Sequence, residues 1–340
     1  MTASSVPVVD VASLFEPRSP ARDATDGAIV RAAAEVGFLN IVGLPASVPL
    51  GSAARTRLLR VFQLEEPVLR GLWRQKFEPC NPNVYRGWFP VQPGNVTSKE
   101  GIDIGADALY SDVVDRTDPL REPTPVPAES TLPGWRADVA AYYGAMERVS
   151  QALMRSIARS LGLEERFFDD AFHRGLSTLR LLRYPVREAA ELASCVDPAV
   201  WTIADGARRY VVGAPHTDSG FVTLLAQDDV GGLQARARDG RWLDVPARDD
   251  ALALNFGQVL ERWCGGRIKA TEHRVIGVGE ERYSIPFFYE ARADALIRPL
   301  PMDAPASFAP FLYGDYLWAR ITGFVEFRGM EGLRRPMQSG

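Results

Sequence analysis

The stretch Arg209-Tyr-Val-Val-Gly-Ala-Pro-His216-Thr-Asp218-Ser-Gly-Phe-Val-Thr-Leu-Leu-Ala-Gln227 sets two short β-rich runs, 209–216 and 221–227, on either side of a polar turn. The rhythm continues in both directions, from about Leu176 to Ala291. Runs rich in Val, Leu, Phe and Tyr recur at 179–184, 233–236, 251–255, 273–278 and 284–289. Between them lie Asp228-Asp-Val-Gly-Gly232, Asp239-Gly240 and Gly277-Val-Gly279. These carry turn chemistry, because Gly tolerates positive φ and Asp hydrogen-bonds nearby backbone. Short strands at this spacing predict an antiparallel sandwich or jelly roll.

The flanks have a different period. Val6-Pro-Val-Val-Asp10 is a short β-rich run, and a helix is expected over 24–36, stopped by Gly37. A short strand follows at 38–42, then a helical region over 51–74 interrupted near Pro67. Pro, Gly and Asp punctuate 79–133, which reads as loops with short strands. Over 134–161, apolar Val139, Tyr142, Met146, Val149, Leu153, Ile157 and Leu161 advance by three or four, marking one buried helix face before Gly162. The tail after Leu300 is proline-rich, then helical over 314–324. The chain therefore divides into 6–118, a module of helices and short strands; 119–175, a long supporting helix and connector; 176–292, the β core; and 300–340, a C-terminal helix and tail.

Composition excludes several classes. The 340 residues are 46% hydrophobic and 24% charged with a formal net charge of −4, which rules out intrinsic disorder and leaves no basic footprint for nucleic acid. Of 39 basic residues only Lys76, Lys99 and Lys269 are lysine, a bias that fits a GC-rich genome. Cys80, Cys195 and Cys264 form no spacing motif and suit reduced thiols. No stretch approaches the ~20 apolar residues of a spanning helix, and the start lacks a secretory pattern. The expectation is a cytoplasmic chain with no membrane or nucleic-acid partner.

Only three histidines occur, His173, His216 and His273. Residues i and i+2 of a strand share a face, so His216 and Asp218 aim together. His273 opens a later strand, 55 residues after Asp218. Two imidazoles and one carboxylate with open positions suit a non-haem Fe(II) centre. A His-x-Asp pair is common and alone far more often marks an ordinary strand end than a metal site; a third element decides. Arg282-Tyr-Ser284 begins nine residues after His273, and its Arg and Ser share one face as a receptor for a carboxylate. The apolar run Ile285-Pro-Phe-Phe288 that follows argues against a surface role for Arg282.

In His216-x-Asp218, His273 and Arg282-x-Ser284 the chain resembles the isopenicillin-N-synthase-like family of 2-oxoglutarate/Fe(II)-dependent oxygenases. The likeness extends to Val6-Pro-Val-Val-Asp10, Ala33-Ala-Glu-Val-Gly-Phe38, Tyr85-Arg-Gly-Trp88, Leu179-Arg-Leu-Leu-Arg-Tyr-Pro185, Gln227-Asp-Asp-Val-Gly-Gly-Leu233, Asp239-Gly-Arg-Trp242 and Asn255-Phe-Gly257. Gly43-Leu-Pro45 and Gln258 depart from the family's usual Asn-His-Gly and Asp without touching the metal pattern. The resemblance implies a mixed α and β fold: a double-stranded β-helix (jelly-roll) core with supporting N-terminal helices and a C-terminal helix.

It also implies that His216, Asp218 and His273 bind Fe(II), and that Arg282, Ser284 and Tyr184 bind 2-oxoglutarate, with O2 as second cosubstrate. Substrate contacts are expected from Arg180, Tyr85, Arg86, Trp88, Phe89, Phe221 and Phe287, with core packing the competing explanation for each aromatic. Arg183 points to the opposite face from Arg180, and His173 lies outside the pattern. The expected activity is oxidation, chiefly hydroxylation, with desaturation and cyclisation as variants, of a small organic molecule that can be anionic, by a monomer. One alternative is an isopenicillin-N-synthase-like oxidase that uses O2 without 2-oxoglutarate, to which Gln338 adds slight support. A remoter alternative is a non-catalytic metal-binding relative.

Overall fold

The β-rich runs fold as strands divided between two sheets, in a computed structural model that describes residues 5–204, 206–302 and 307–337. In chain order they are β1 (Val8–Asp10), β2 (Phe38–Val42), β3 (Gly87–Phe89), β4 (Glu100–Ile104), β5 (Thr178–Tyr184), β6 (Trp201–Ala204), β7 (Ala207–His216), β8 (Val222–Gln227), β9 (Leu233–Arg236), β10 (Trp242–Asp244), β11 (Leu252–Phe256), β12 (His273–Ile276) and β13 (Arg282–Tyr289). The larger sheet runs β1-β2-β11-β8-β13-β5-β4-β3 and the smaller β10-β9-β12-β7-β6. Their pairings are antiparallel except for β1 with β2. The helices are α1 (Pro20–Glu35), α2 (Gly51–Leu59), α3 (Glu66–Arg70), α4 (Trp135–Ser160), α5 (Asp169–Phe172), α6 (Ala189–Ser194), α7 (Gln258–Trp263) and α8 (Tyr313–Ile321). This is the expected jelly roll with helical support, and no helix of the described residues is long and apolar enough to cross a membrane. Gln338 lies outside the described residues.

Strand parity sorts the side chains. On β13, Ile285, Phe287 and Tyr289 face the helices and join the core built by Val139, Tyr142, Met146, Val149, Leu153 and Ile157 of α4. Their neighbours Arg282, Ser284, Pro286 and Phe288 face the space between the sheets. There Phe38, Leu182, Tyr184, Val212, Leu233 and Val275 form a second, smaller core. Each fully buried Leu, Val or Phe contributes about 1.5–3 kcal/mol, so the α4 stripe fixes the back of the larger sheet and leaves its front free for chemistry.

Some local signals set boundaries that the hydrophobic period alone misses. Helix α1 starts at Pro20 rather than near residue 24, because the Ser19 side chain accepts the Arg22 N–H at 3.3 Å and proline pre-sets the first turn. Gly37 ends it with φ 71°, where an added Cβ would sit 2.5 Å from the Lys269 carbonyl oxygen. The short edge strands β6 and β10 have only three or four residues each, too few to show a period.

Glu290, one residue past β13, is buried and accepts a hydrogen bond from the Tyr313 hydroxyl at the start of α8. Burial pushes its carboxyl up to about 8; Tyr313 opposes the shift, the Asp218 charge adds to it, and Arg86 opposes it. The folded state thus favours the neutral acid. Stability from this group is complete below the ordinary value of 4.5 and drains away as pH rises to about 8. Glu290→Gln keeps the shape without the titration. Its melting temperature relative to the wild type is expected to rise steadily between pH 5 and about 8 and then level off; a difference independent of pH would contradict this.

Candidate active site

Antiparallel pairing of β7 with β12 sets His216 directly opposite His273, with ring centroids 4.3 Å apart. Asp218 follows two residues after His216, and its Oδ1 lies 3.8 Å from the Nε2 of each imidazole. Three ligand-type atoms, one from each residue, fall within 4.8 Å of one another. The orientation of each group is fixed from behind. His216 Nδ1 stands 2.8 Å from the Ala214 carbonyl and His273 Nδ1 3.1 Å from that of Thr271. A carbonyl only accepts, so each Nδ1 carries the proton and each Nε2 keeps a lone pair directed inward.

Asp218 is braced likewise: its Oδ2 accepts from the Thr223 hydroxyl at 2.6 Å and from Asn255 Nδ2 at 2.7 Å, leaving Oδ1 to the imidazoles. Burial works against its charge, yet His273, His216 and these two hydrogen bonds hold the carboxyl below the usual range. Burial also pushes the His216 imidazole down to about 4, assisted by His273, so it is neutral near pH 7. Two imidazoles that present Nε2 and a carboxylate, each locked by an outer partner, form a donor set suited to a divalent iron with positions left open.

Arg282 lies on the same side. Its Nε donates to the Gly231 carbonyl at 2.8 Å and its Nη2 to Gln227 Oε1 at 3.2 Å, while Nη1 is buried without a partner among the described residues. The guanidinium carbon sits 5.0 Å from the centroid of the Tyr184 ring. Ser284, two residues on, is buried on the same face of β13 and opens to the same cavity. That cavity, of about 440 Å3, also holds His216, Asp218 and His273. An orphaned guanidinium N–H beside an open hydroxyl fits a carboxylate in two-point contact.

The structure scatters the expected substrate contacts. Tyr85 and Arg180 line the space next to the His–Asp–His group. Phe287 points away, edge-on to Tyr143 in the helical core; its neighbour Phe288 takes the cavity wall, as the alternation of Arg282, Ser284 and Phe288 dictates. Trp88 packs on Phe62, and Phe221 packs among Phe172, Trp263 and Tyr313. Phe89 lies beneath the guanidinium groups of Arg74 and Arg180. Arg86 donates to Thr178 Oγ1 at 2.6 Å and to the Leu176 carbonyl at 3.2 Å, and borders a separate cleft that His173 also lines. Arg183 turns outward to Glu100 and Glu281. Lys99, Phe324 and Glu326 also line the cavity, and nothing in their sequence neighbourhood singles them out.

The model of the 2OG-Fe(II) oxygenase superfamily matches residues 167–291. A proline hydroxylase of Petromyces alliaceus is 30% identical over 293 residues, covering 79% of this chain and 82% of that protein. An isopenicillin N synthase of Streptomyces clavuligerus is 30% identical over 262 residues, covering 74% of this chain and 76% of the relative. Among solved structures, a full-length Neurospora crassa protein in complex with alpha-KG superposes with a TM-score of 0.76 at 24% identity, over 94% of this chain and 96% of that one.

The braces on Asp218 are open to test. Asn255→Ala removes one of two hydrogen bonds to Oδ2 and is expected to weaken Fe(II) binding by roughly 10–100-fold in anaerobic titration calorimetry. Affinity equal to the wild type would show that Thr223 alone sets the carboxylate.

Proposed function

We propose, since this chain belongs to the 2OG-Fe(II) oxygenase superfamily, that His216, Asp218 and His273 hold its iron and that Arg282 and Ser284 anchor its 2-oxoglutarate. The chain is an enzyme of that class: it oxidises a small organic molecule with Fe(II), 2-oxoglutarate and O2, releasing succinate and CO2. The observation that carries the residue assignment is the buried Nη1 of Arg282, without a partner among the described residues, on a side chain that lines the same cavity as His216, Asp218 and His273. A buried guanidinium N–H left without an acceptor costs on the order of 1–3 kcal/mol, and a ligand carboxylate would satisfy it.

Bound iron with its cosubstrates supplies the oxidising chemistry; what the chain supplies is placement. The Ala214 and Thr271 carbonyls keep both imidazoles in the tautomer that offers Nε2 to a metal. Thr223 and Asn255 keep one carboxylate oxygen of Asp218 turned toward them. Arg282, backed by Gln227 and the Gly231 carbonyl, holds the distal carboxylate of 2-oxoglutarate, with Ser284 as second donor and the Tyr184 ring beneath the guanidinium. Tyr85 and Arg180 bound the space where the substrate C–H must lie. Hydroxylation is the outcome this reading favours, with one oxygen atom of O2 entering the product and the other entering succinate.

The reading extends to a monomeric, cytoplasmic enzyme acting on a substrate that can be anionic. The free Cys80, Cys195 and Cys264 support the compartment, and the cationic Lys99 and Arg180 support the charge.

Measuring succinate against O2 in the presence of Fe(II) and 2-oxoglutarate tests the assignment, with one succinate expected for each O2 consumed. Asp218→Ala is expected to abolish turnover. Arg282→Ala should raise the 2-oxoglutarate KM by roughly 10–100-fold, the weight of a charge-assisted hydrogen bond. Uptake of O2 without succinate would instead indicate an oxidase of the isopenicillin N synthase kind.

A further inference from the structure

The cavity carries charge that the iron and 2-oxoglutarate assignments leave unused. Lys99 enters β4 from a segment held against β7, where the Ser98 N–H donates to the Val212 carbonyl at 3.0 Å and the Ala214 N–H to Thr97 Oγ1 at 3.1 Å. Its Nζ lies 3.3 Å from Oε1 of Glu326, which arrives from the far end of the chain after α8. The Glu326 side chain is only 6% exposed. Burial opposes its charge, but Lys99, then Arg180 and Arg74, hold the carboxyl down at about 2, so it is ionised.

Beside this pair, Arg180 gives Nε and Nη2 to the two oxygens of Asp103, at 2.5 and 2.8 Å. Its Nη1 has no hydrogen-bond partner among the described residues. Arg74, wholly buried, pairs with the same Asp103 carboxylate. Three cations, Lys99, Arg180 and Arg74, therefore share two carboxylates, Asp103 and Glu326, one positive charge in excess within this cluster; Asp218, the other ionised carboxylate lining the space, is the proposed iron ligand. Glu290 lines the same space but is neutral near pH 7 and cancels nothing. A charge withdrawn from water without a counter-ion is costly, and a bound anion would offset it. Leu317, Ile321, Phe324 and Phe288 give the remaining wall an apolar side.

We propose that the substrate is a carboxylic acid on an apolar body, its carboxylate held between Lys99 Nζ and Arg180 Nη1, and that Glu326 is a built-in competitor for Lys99. The apolar body lies against Leu317, Ile321 and Phe324, beside the His216–Asp218 edge of the site. The inference rests on the preceding reading for where oxidation occurs. Glu326 sharpens selection, because an uncharged analogue cannot displace it from Lys99 whereas a carboxylate can share the ammonium's three donors.

The test uses ligand pairs of nearly equal shape, phenylpropanoate with phenylpropanamide and octanoate with octanamide. Each is titrated calorimetrically, without O2, into the full-length protein loaded with Fe(II) and 2-oxoglutarate. In at least one pair the acid is expected to bind roughly 10-fold or more tighter than its amide. Lys99→Met should erase that preference, while Glu326→Gln should strengthen binding of the acid. A merely structural ion pair would move both variants in the same direction. Should Lys99→Met fail to fold, Glu326→Gln decides alone: weaker binding of the acid overturns the proposal. Equal affinity within both pairs, or no binding by either acid, also overturns it. Titration of 2-oxoglutarate into the Fe(II)-loaded wild type reports separately on the preceding reading: no binding there sinks that reading, whereas binding without acid preference sinks only this one.

Discussion

One constraint underlies the whole site: the two sheets must meet so that groups from both converge on the same few ångströms. The imidazoles come from the smaller sheet, where the β7–β12 register places His273 opposite His216. Asp218 follows the end of β7 but takes its orientation from the larger sheet, through Thr223 on β8 and Asn255 on β11. Slipping either strand by one residue would turn an imidazole or a brace to the opposite face. The packing of Phe38, Leu182, Val212 and Val275 between the sheets is thus a condition of the chemistry as well as of stability. Phe38 makes the link directly, lying edge-on to the His273 ring at 5.5 Å.

The buried charges of the cavity conflict with stability taken alone. Asp103 and Arg74 are wholly buried, and an ion pair withdrawn from water gains little over well-packed apolar residues. Arg74 also keeps Nε and Nη1 without partners among the described residues, although the rings of Phe89 and Phe327 stack about its guanidinium at 4.7 and 4.3 Å. Such an arrangement is better explained by what it holds in place. Asp103 fixes two of the three Arg180 nitrogens and so directs the remaining one, a preorganisation that spares a ligand the entropy of ordering the side chain.

How much of this was legible in the sequence differs from residue to residue. His216, Asp218, His273, Arg282 and Ser284 stand out because each sits at a fixed offset on a short strand, and parity shows which face they share. The same parity extends from Arg282 and Ser284 to Phe288, so the expectation for Phe287 erred by one position within a run of like residues. Arg86 adjoins Tyr85 in sequence, but neighbours on an extended segment diverge, and Arg86 is drawn to Thr178 and the Leu176 carbonyl. Lys99 and Glu326 carry no local signal at all. Their meaning comes from a contact between residues 227 positions apart, and in isolation each reads as surface charge.

This difference follows the origin of the parts. The proposed iron and 2-oxoglutarate residues, from Tyr184 to Ser284, all lie within the stretch 167–291 that the superfamily model matches. Tyr85, Lys99, Leu317, Ile321, Phe324 and Glu326 lie outside it, on segments before and after the core. The superfamily match therefore speaks to the chemistry that the core can perform and not to the molecule on which it acts. The same division places two of the chain's three lysines where they matter: Lys99 contacts Glu326, and Lys76 donates to the Val325 and Arg328 carbonyls at 2.6 and 3.2 Å. Both tie the C-terminal segment across the cavity to the N-terminal module. On the proposed reading the substrate carboxylate is shared between Lys99, from before the matched stretch, and Arg180, from within it, so selection depends on how the N- and C-terminal segments close over the core.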